Sequence, residues 1–188
     1  LMISDKEKWD YRHANNPAPT NPLELLVQNI IFAKKGKALD IACGMGRNSL
    51  FMRDNGFVVD SVDISPFAIS HLQNLPNINP ICANLDTFII PKENYDLICN
   101  SFFLERRLFP FIIEGLKKGG ILIFETFVKN DDESCNAPIS NPSHLLRKNE
   151  LLKAFLDLEI LFYEEKLTQV SNNYSPAFAI TARLVARA

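Results

Sequence analysis

Apolar residues fall along this chain in short, nearly unbroken runs, separated by stretches in which apolar and polar positions alternate at helical spacing. Such runs occupy 37–43 (KALDIAC), 56–64 (GFVVDSVDI), 95–101 (YDLICNS) and 121–127 (ILIFETF), with a weaker one, interrupted by Pro80, at 78–84. A strand that is apolar almost throughout is covered on both faces, so these five read as a buried parallel sheet. Helices are expected between them. One spans 47–54, one follows the Ser65-Pro66 cap with Phe67, Ile69 and Leu72 on one side, and one covers 105–118 before Gly119-Gly120. A further helix is expected ahead of the first strand. Asn21 is its candidate cap, Pro22 sits in its first turn, and Gly36 closes it. The βαβα rhythm predicts a doubly wound α/β fold.

The C-terminal third breaks that rhythm. A polar loop at 128–148 is long enough to suggest a functional insert, and a helix is expected from Asn149. Runs at 159–167 and 177–188 then read as two strands whose short link cannot hold a crossover helix, so they pair as an antiparallel hairpin. The whole reads as a single domain: an N-terminal lid and helix (1–36), a cofactor-binding core (37–127), and a substrate-side loop, helix and hairpin (128–188).

Composition narrows the function classes. A chain of 188 residues can bury a sufficient core without disulfides or metal. A formal net charge of −2 offers no general attraction to nucleic acid or anionic lipid, so neither partner is expected. The apolar runs are too short to span a bilayer, and the polar opening LMISDKEKWDYRH is unlike a signal peptide, so a cytoplasmic protein is expected. Cys43, Cys82, Cys99 and Cys135 form no CxxC pair and have no histidine cluster beside them. Reduced thiols and no metal site are the expectation, with Cys82 and Cys99 buried on strands.

In an open α/β sheet, ligands bind beyond the carboxyl ends of the strands, and four candidate groups fall there. Asp40, Gly44 and Gly46 belong to the turn after the first strand, where absent side chains let a ligand approach the backbone. Asp63 closes the second strand, placed to accept from ribose hydroxyls. Asp86, in the Asn-Leu-Asp segment after the third, is placed for an adenine amino group, and Asn100 closes the fourth. The turn DIACGMGRNS also carries Ser49 where a dinucleotide fold places a third small residue beside a pyrophosphate. A cofactor without phosphates has no need of that residue.

Together, ALDIACGMGRNSLFM, VDSVDIS, ANLD, YDLICNSFFLERRLFP and LKKGGILIFETF resemble the class I S-adenosylmethionine-dependent methyltransferases. WDYRHA (9–14), NPSHLLRKNELL (141–152) and LEILFYEE (158–165) make the chain most similar to small bacterial enzymes of the TehB-like, tellurite-resistance kind. The resemblance covers about 9–188 and implies a Rossmann-like seven-stranded sheet, mostly parallel, with an antiparallel last strand. It implies S-adenosylmethionine as cofactor, with Asp40, Ala42, Gly44 and Gly46 at its methionine end. Asp63 is implied for the ribose, Ile64 against the adenine, Leu85 and Asp86 at the adenine site, and Asn100 near the sulfonium.

The activity expected is in-line transfer of a methyl group to a small-molecule acceptor. A soft thiol or chalcogen nucleophile suits a site with no obvious general base. Acceptor contacts are sought in an N-terminal lid (Trp9, Tyr11, Arg12), after the fourth strand (Phe103, Glu105, Arg106) and at the end of the fifth (Thr126). Glu105 and Arg106 are the candidates for a catalytic role, at a point where the family often carries histidine before arginine. Two other readings stay open: a SAM-binding sensor or partner subunit without catalysis, and an NAD(P)-dependent oxidoreductase, which Ser49 and the hairpin argue against.

Overall fold

The computed structural model describes residues 3–16, 19–131, 141–171 and 176–188. Seven strands form one sheet: β1 (Lys37–Ile41), β2 (Val58–Asp63), β3 (Ile78–Cys82), β4 (Tyr95–Ser101), β5 (Leu116–Phe127), β6 (Glu159–Ser171) and β7 (Pro176–Arg187). Their order is β3-β2-β1-β4-β5-β7-β6. The first five run parallel, whereas β7 is antiparallel to both β5 and β6. The chain winds outward from β1 to β3 and then returns to place β4 on the other side of β1. That reversal opens a crevice at the carboxyl ends of β1 and β4.

Side chains of the central strands turn alternately to two apolar clusters. Ile98, Leu122 and Phe124 join one apolar cluster with Phe155 and Leu184, while Leu97, Cys99, Ile121 and Ile123 join another with Leu25, Leu26 and Met52. Both faces of the central strands are therefore dry, which is why their sequences show no polar alternation. Cys99 is fully buried, as expected, but Cys82 is exposed because β3 lies at the sheet edge. Cys135 lies outside the described residues.

The helices are α1 (Asp5–Asn15), α2 (Glu24–Asn29), α3 (Arg47–Asp54), α4 (Pro66–Ser70), α5 (Phe109–Gly115) and α6 (Glu150–Ala154). Two depart from expectation. Asn21 does not cap α2. Leu23 holds that position, and its amide donates across the fold to Asn48 Oδ1 at 2.8 Å. The helix then tightens into a 3-10 turn over Ile30–Phe32 and stops short of Gly36. The expected 105–118 helix is a 3-10 turn (Arg106–Leu108) followed by α5, and β5 begins already at Leu116. Gly115 packs against Ile90, where a Cβ would lie 2.6 Å from its Cγ2, and a register shift between Tyr95 and Leu97 accommodates the longer β5. Of the predicted 128–148 loop, Val128 bridges Leu146 and Pro142–His144 forms a 3-10 turn, while 132–140 lie outside the described residues. Among the described residues, no helix is long and apolar enough to cross a membrane.

Candidate functional site

A cavity of about 360 Å³ opens at the reversal between β1 and β4. Its floor is the turn that joins β1 to α3. Gly44 and Gly46 have φ of 55° and 91°, and Ala42, without a glycine's freedom, has φ 54°. Phe102, after β4, is likewise left-handed at φ 53°. Ala42 and Phe102 both line the cavity, so each of the two strands that flank it is followed by a left-handed non-glycine residue.

Asp63, 6% exposed at the end of β2, organises this floor. Its Oδ2 accepts from the Gly44 amide at 2.8 Å and its Oδ1 from the Ser65 amide at 2.9 Å. One carboxylate thus ties the glycine turn to the start of α4. Beyond it lie Ile64, Leu85 and Asp86. Their loop is pinned from outside, because Arg107 Nη2 donates to the carbonyls of Leu85 and Phe88 at 2.7 and 2.9 Å.

Asp40 lies beneath this floor. It is 1% exposed and accepts from Ser49 Oγ at 2.6 Å, while Ser49 Oγ stands 2.6 Å from Ser61 Oγ. Burial pushes the Asp40 carboxyl up to about 7, against the opposing pull of the Ser49 hydroxyl and Arg47. Asp40 and Gly46 do not line the cavity, and Gly46 instead receives the side chain of Leu72. The cavity wall beside the turn consists of Ala42, Cys43 and Gly44 together with Arg47. Arg47 donates to the Asn21 carbonyl at 3.0 Å and to Ser101 Oγ at 3.1 Å. Burial raises the Cys43 thiol well above its ordinary range, so it is held neutral.

The remaining wall is aromatic. Phe102 and Phe103 follow β4, and α1 lays Asp5, Trp9 and His13 across the mouth. These three stand at i, i+4 and i+8 on one helix face, a spacing visible in the sequence that identifies Asp5 and His13 alongside Trp9. Tyr11 is 70% exposed and lies outside the cavity lining, and Arg12 rests over the Trp9 ring at 5.1 Å.

Four other expected residues are placed elsewhere. Asn100 donates to the Phe103 carbonyl at 2.7 Å, which shapes the loop but leaves Asn100 outside the lining. Glu105 caps the following 3-10 turn through the Arg107 amide. Arg106 is drawn away by Glu150 at 2.6 Å and by the carbonyls of Ser143 and Leu145. Thr126 is fully buried, its hydroxyl without a hydrogen-bond partner among the described residues, and does not reach the cavity. Its neighbour Glu125 accepts from Thr181 and Arg183 inside the sheet, and burial raises its carboxyl.

Comparison with known proteins agrees with this architecture. The family described as "Tellurite resistance protein TehB" matches residues 6–186. A curated relative from Haemophilus influenzae, "Probable S-adenosyl-L-methionine-dependent methyltransferase TehB", is 33% identical over 147 residues, 71% of this chain and 50% of its own length. "Hemagglutinin 1" of Eikenella corrodens is 28% identical over 172 residues, covering 85% of this chain and 55% of that protein. The chain therefore spans about half the length of the curated relatives it matches. The crystal structure of TehB from Haemophilus influenzae superposes with a TM-score of 0.76 at 26% identity, covering 96% of this chain and 67% of that one. A Mesorhizobium loti S-adenosylmethionine-dependent methyltransferase, 18% identical with a TM-score of 0.64, shares the fold over 82% of this chain and 92% of its own. The fold is that of the class I methyltransferases, and the chain belongs to the TehB family of tellurite resistance proteins.

Proposed function

We propose that the cavity binds S-adenosylmethionine and that the chain transfers its methyl group to a small-molecule acceptor. The observation that carries this reading is Asp63, a nearly buried carboxylate anchored to the Gly44 and Ser65 amides at the cavity floor. It is suited to a ribose, with the methionine end over Ala42, Gly44 and Arg47 and the adenine toward Ile64, Leu85 and Asp86. The cavity volume is in the range of small-molecule sites, and among the described residues beyond Gly44's chain neighbours only His13 of α1 comes within 4 Å of where a Gly44 Cβ would stand.

The cofactor, when bound, supplies an activated methyl group on a sulfonium. What the chain's own residues contribute is exclusion and alignment. Trp9, Phe102 and Phe103 keep water from the reacting centre, and the strained ends of β1 and β4 set where the two reactants meet. Cys43 is held as a neutral thiol and so does not compete for the methyl group. Glu105 and Arg106, engaged with the Arg107 amide and with Glu150, take no part in the chemistry in this arrangement. A soft acceptor, thiol or chalcogen, agrees with a cavity whose reactive end is aromatic rather than lined by a carboxylate pair.

Calorimetry with S-adenosylmethionine, S-adenosylhomocysteine and NAD tests the cofactor. Binding of NAD alone would overturn the reading. Methyl release is then measured over an acceptor panel containing thiols, selenite and tellurite. Cofactor binding with no release across that panel would make the chain a SAM-binding subunit instead.

A further inference from the structure

We infer that Asp10 is a positioning residue that latches α1 across the cavity, and that the latch is joined through Ser65 to the carboxylate of Asp63. The inference rests on the cofactor reading above and adds how the site is closed.

No residue of α1 is fully buried, and Trp9 is 39% exposed, so apolar packing alone holds the helix over the cavity only weakly. Its own cap, Ser4 with Glu7, stabilises the helix but ties it to nothing else. What fastens it is Asp10 Oδ1, which accepts from the Ser65 hydroxyl and from the Phe67 amide at 3.1 Å. Both donors lie in the first turn of α4. The Ser65 hydroxyl lowers the Asp10 carboxyl below its ordinary range, consistent with a carboxylate that is charged when the bond is made.

Ser65 has three attachments. Its hydroxyl donates to Asp10 and accepts from the Ala68 amide at 3.1 Å, and its own amide donates to Asp63 Oδ1. Asp63 Oδ2 in turn holds the Gly44 amide, and a Cβ on Gly44 would stand 3.3 Å from His13 Cε1. The contacts close a circuit from α1 through α4 and the end of β2 to the glycine turn and back to α1. Asp5, Trp9 and His13 leave the cavity wall together if α1 lifts, so anything that holds Asp63 and Gly44 in place also favours the latched helix. Asp10 stands three positions before His13 on α1 but does not line the cavity, so it fastens the helix without occupying the site.

Trp9 is the sole tryptophan of the chain, so its fluorescence reports α1 directly. Acrylamide quenching of the ligand-free protein and calorimetric titration with S-adenosylhomocysteine are compared for wild type, Asp10→Ala and Asp10→Asn. Asp10→Ala is expected to increase quenching and to raise the Kd by roughly five- to tenfold, the effect of losing hydrogen bonds to a charged acceptor. Asp10→Asn is expected to restore both readouts, because a single oxygen accepts both bonds. Quenching in Asp10→Ala equal to wild type would overturn the latch whether or not the cofactor binds. A wild type that binds no S-adenosylhomocysteine would instead overturn the cofactor reading, and the latch is then judged on quenching alone.

Discussion

Ser49 Oγ donates to Asp40 Oδ2 at 2.6 Å, and neither side chain reaches solvent. With its proton given to Asp40, Ser49 accepts from Ser61, so a chain of three polar groups runs beneath the cavity floor. The residue that looks like a missing glycine in the nucleotide-binding turn is a donor to a buried carboxyl. Ser49→Ala removes that donor and is expected to destabilise the fold by about 1–3 kcal/mol, read by urea denaturation. Unchanged stability would mean that the hydroxyl contributes nothing net to Asp40.

Asp40 also predicts a pH dependence. Its carboxyl titrates at about 7 in the folded chain because burial disfavours the charge, against roughly 4 when unfolded. Between those values the folded state binds the extra proton, so this group's contribution to stability falls as pH rises from 4 to 7 and is flat above. Asp40→Asn, which cannot ionise, is expected to gain on wild type by at most roughly 1.4 kcal/mol per pH unit across that window. Denaturation curves at pH 4.5, 6 and 7.5 test it. Parallel stability profiles would show that Asp40 ionises as readily folded as unfolded.

Asp63→Ala is expected to weaken S-adenosylhomocysteine binding by roughly ten- to a hundredfold, since the ribose acceptor and the anchor of the Gly44 amide go together. Calorimetry measures it directly. Affinity equal to wild type would remove Asp63 from the site.

Gly46→Ala tests the turn by a different route. The backbone there has φ 91°, and the new Cβ would meet Leu72 Cδ2 at 2.4 Å within a side chain that is 1% exposed. Strain and overpacking together are expected to cost about 1–3 kcal/mol, seen as a lowered Tm. A variant as stable as wild type would show that Leu72 yields freely.

Arg106→Ala separates the surface from the site. The guanidinium is 41% exposed in its pair with Glu150, so its loss is expected to cost under about 1 kcal/mol. Cofactor affinity should stay at the wild-type value. A tenfold rise in Kd for S-adenosylhomocysteine would return Arg106 to the binding machinery.

The elements that the sequence showed most clearly are those set by local patterning. Strands buried on both faces read as unbroken apolar runs, and the link before Pro176 is too short for a crossover helix, so the sheet and its terminal hairpin were legible. The glycines at 44 and 46 and the acid at 63 were legible as well, because a left-handed turn and a strand-end carboxylate each restrict residue type. The direction of a long side chain is another matter. Arg106 follows β4 as a substrate contact would, yet Glu150, 44 positions further on, takes its guanidinium. Asp40 stands in the motif but faces the interior, since Ser49 and Ser61 stabilise it there. The sequence by itself determined the strand succession, the turn, and which strand ends carry polar groups, because these depend on neighbours within a few residues. Only the tertiary structure decided which of those groups reach the cavity and that α1 closes over it through Asp10 and Ser65, because hydrogen bonds between distant segments leave no periodic trace in the chain.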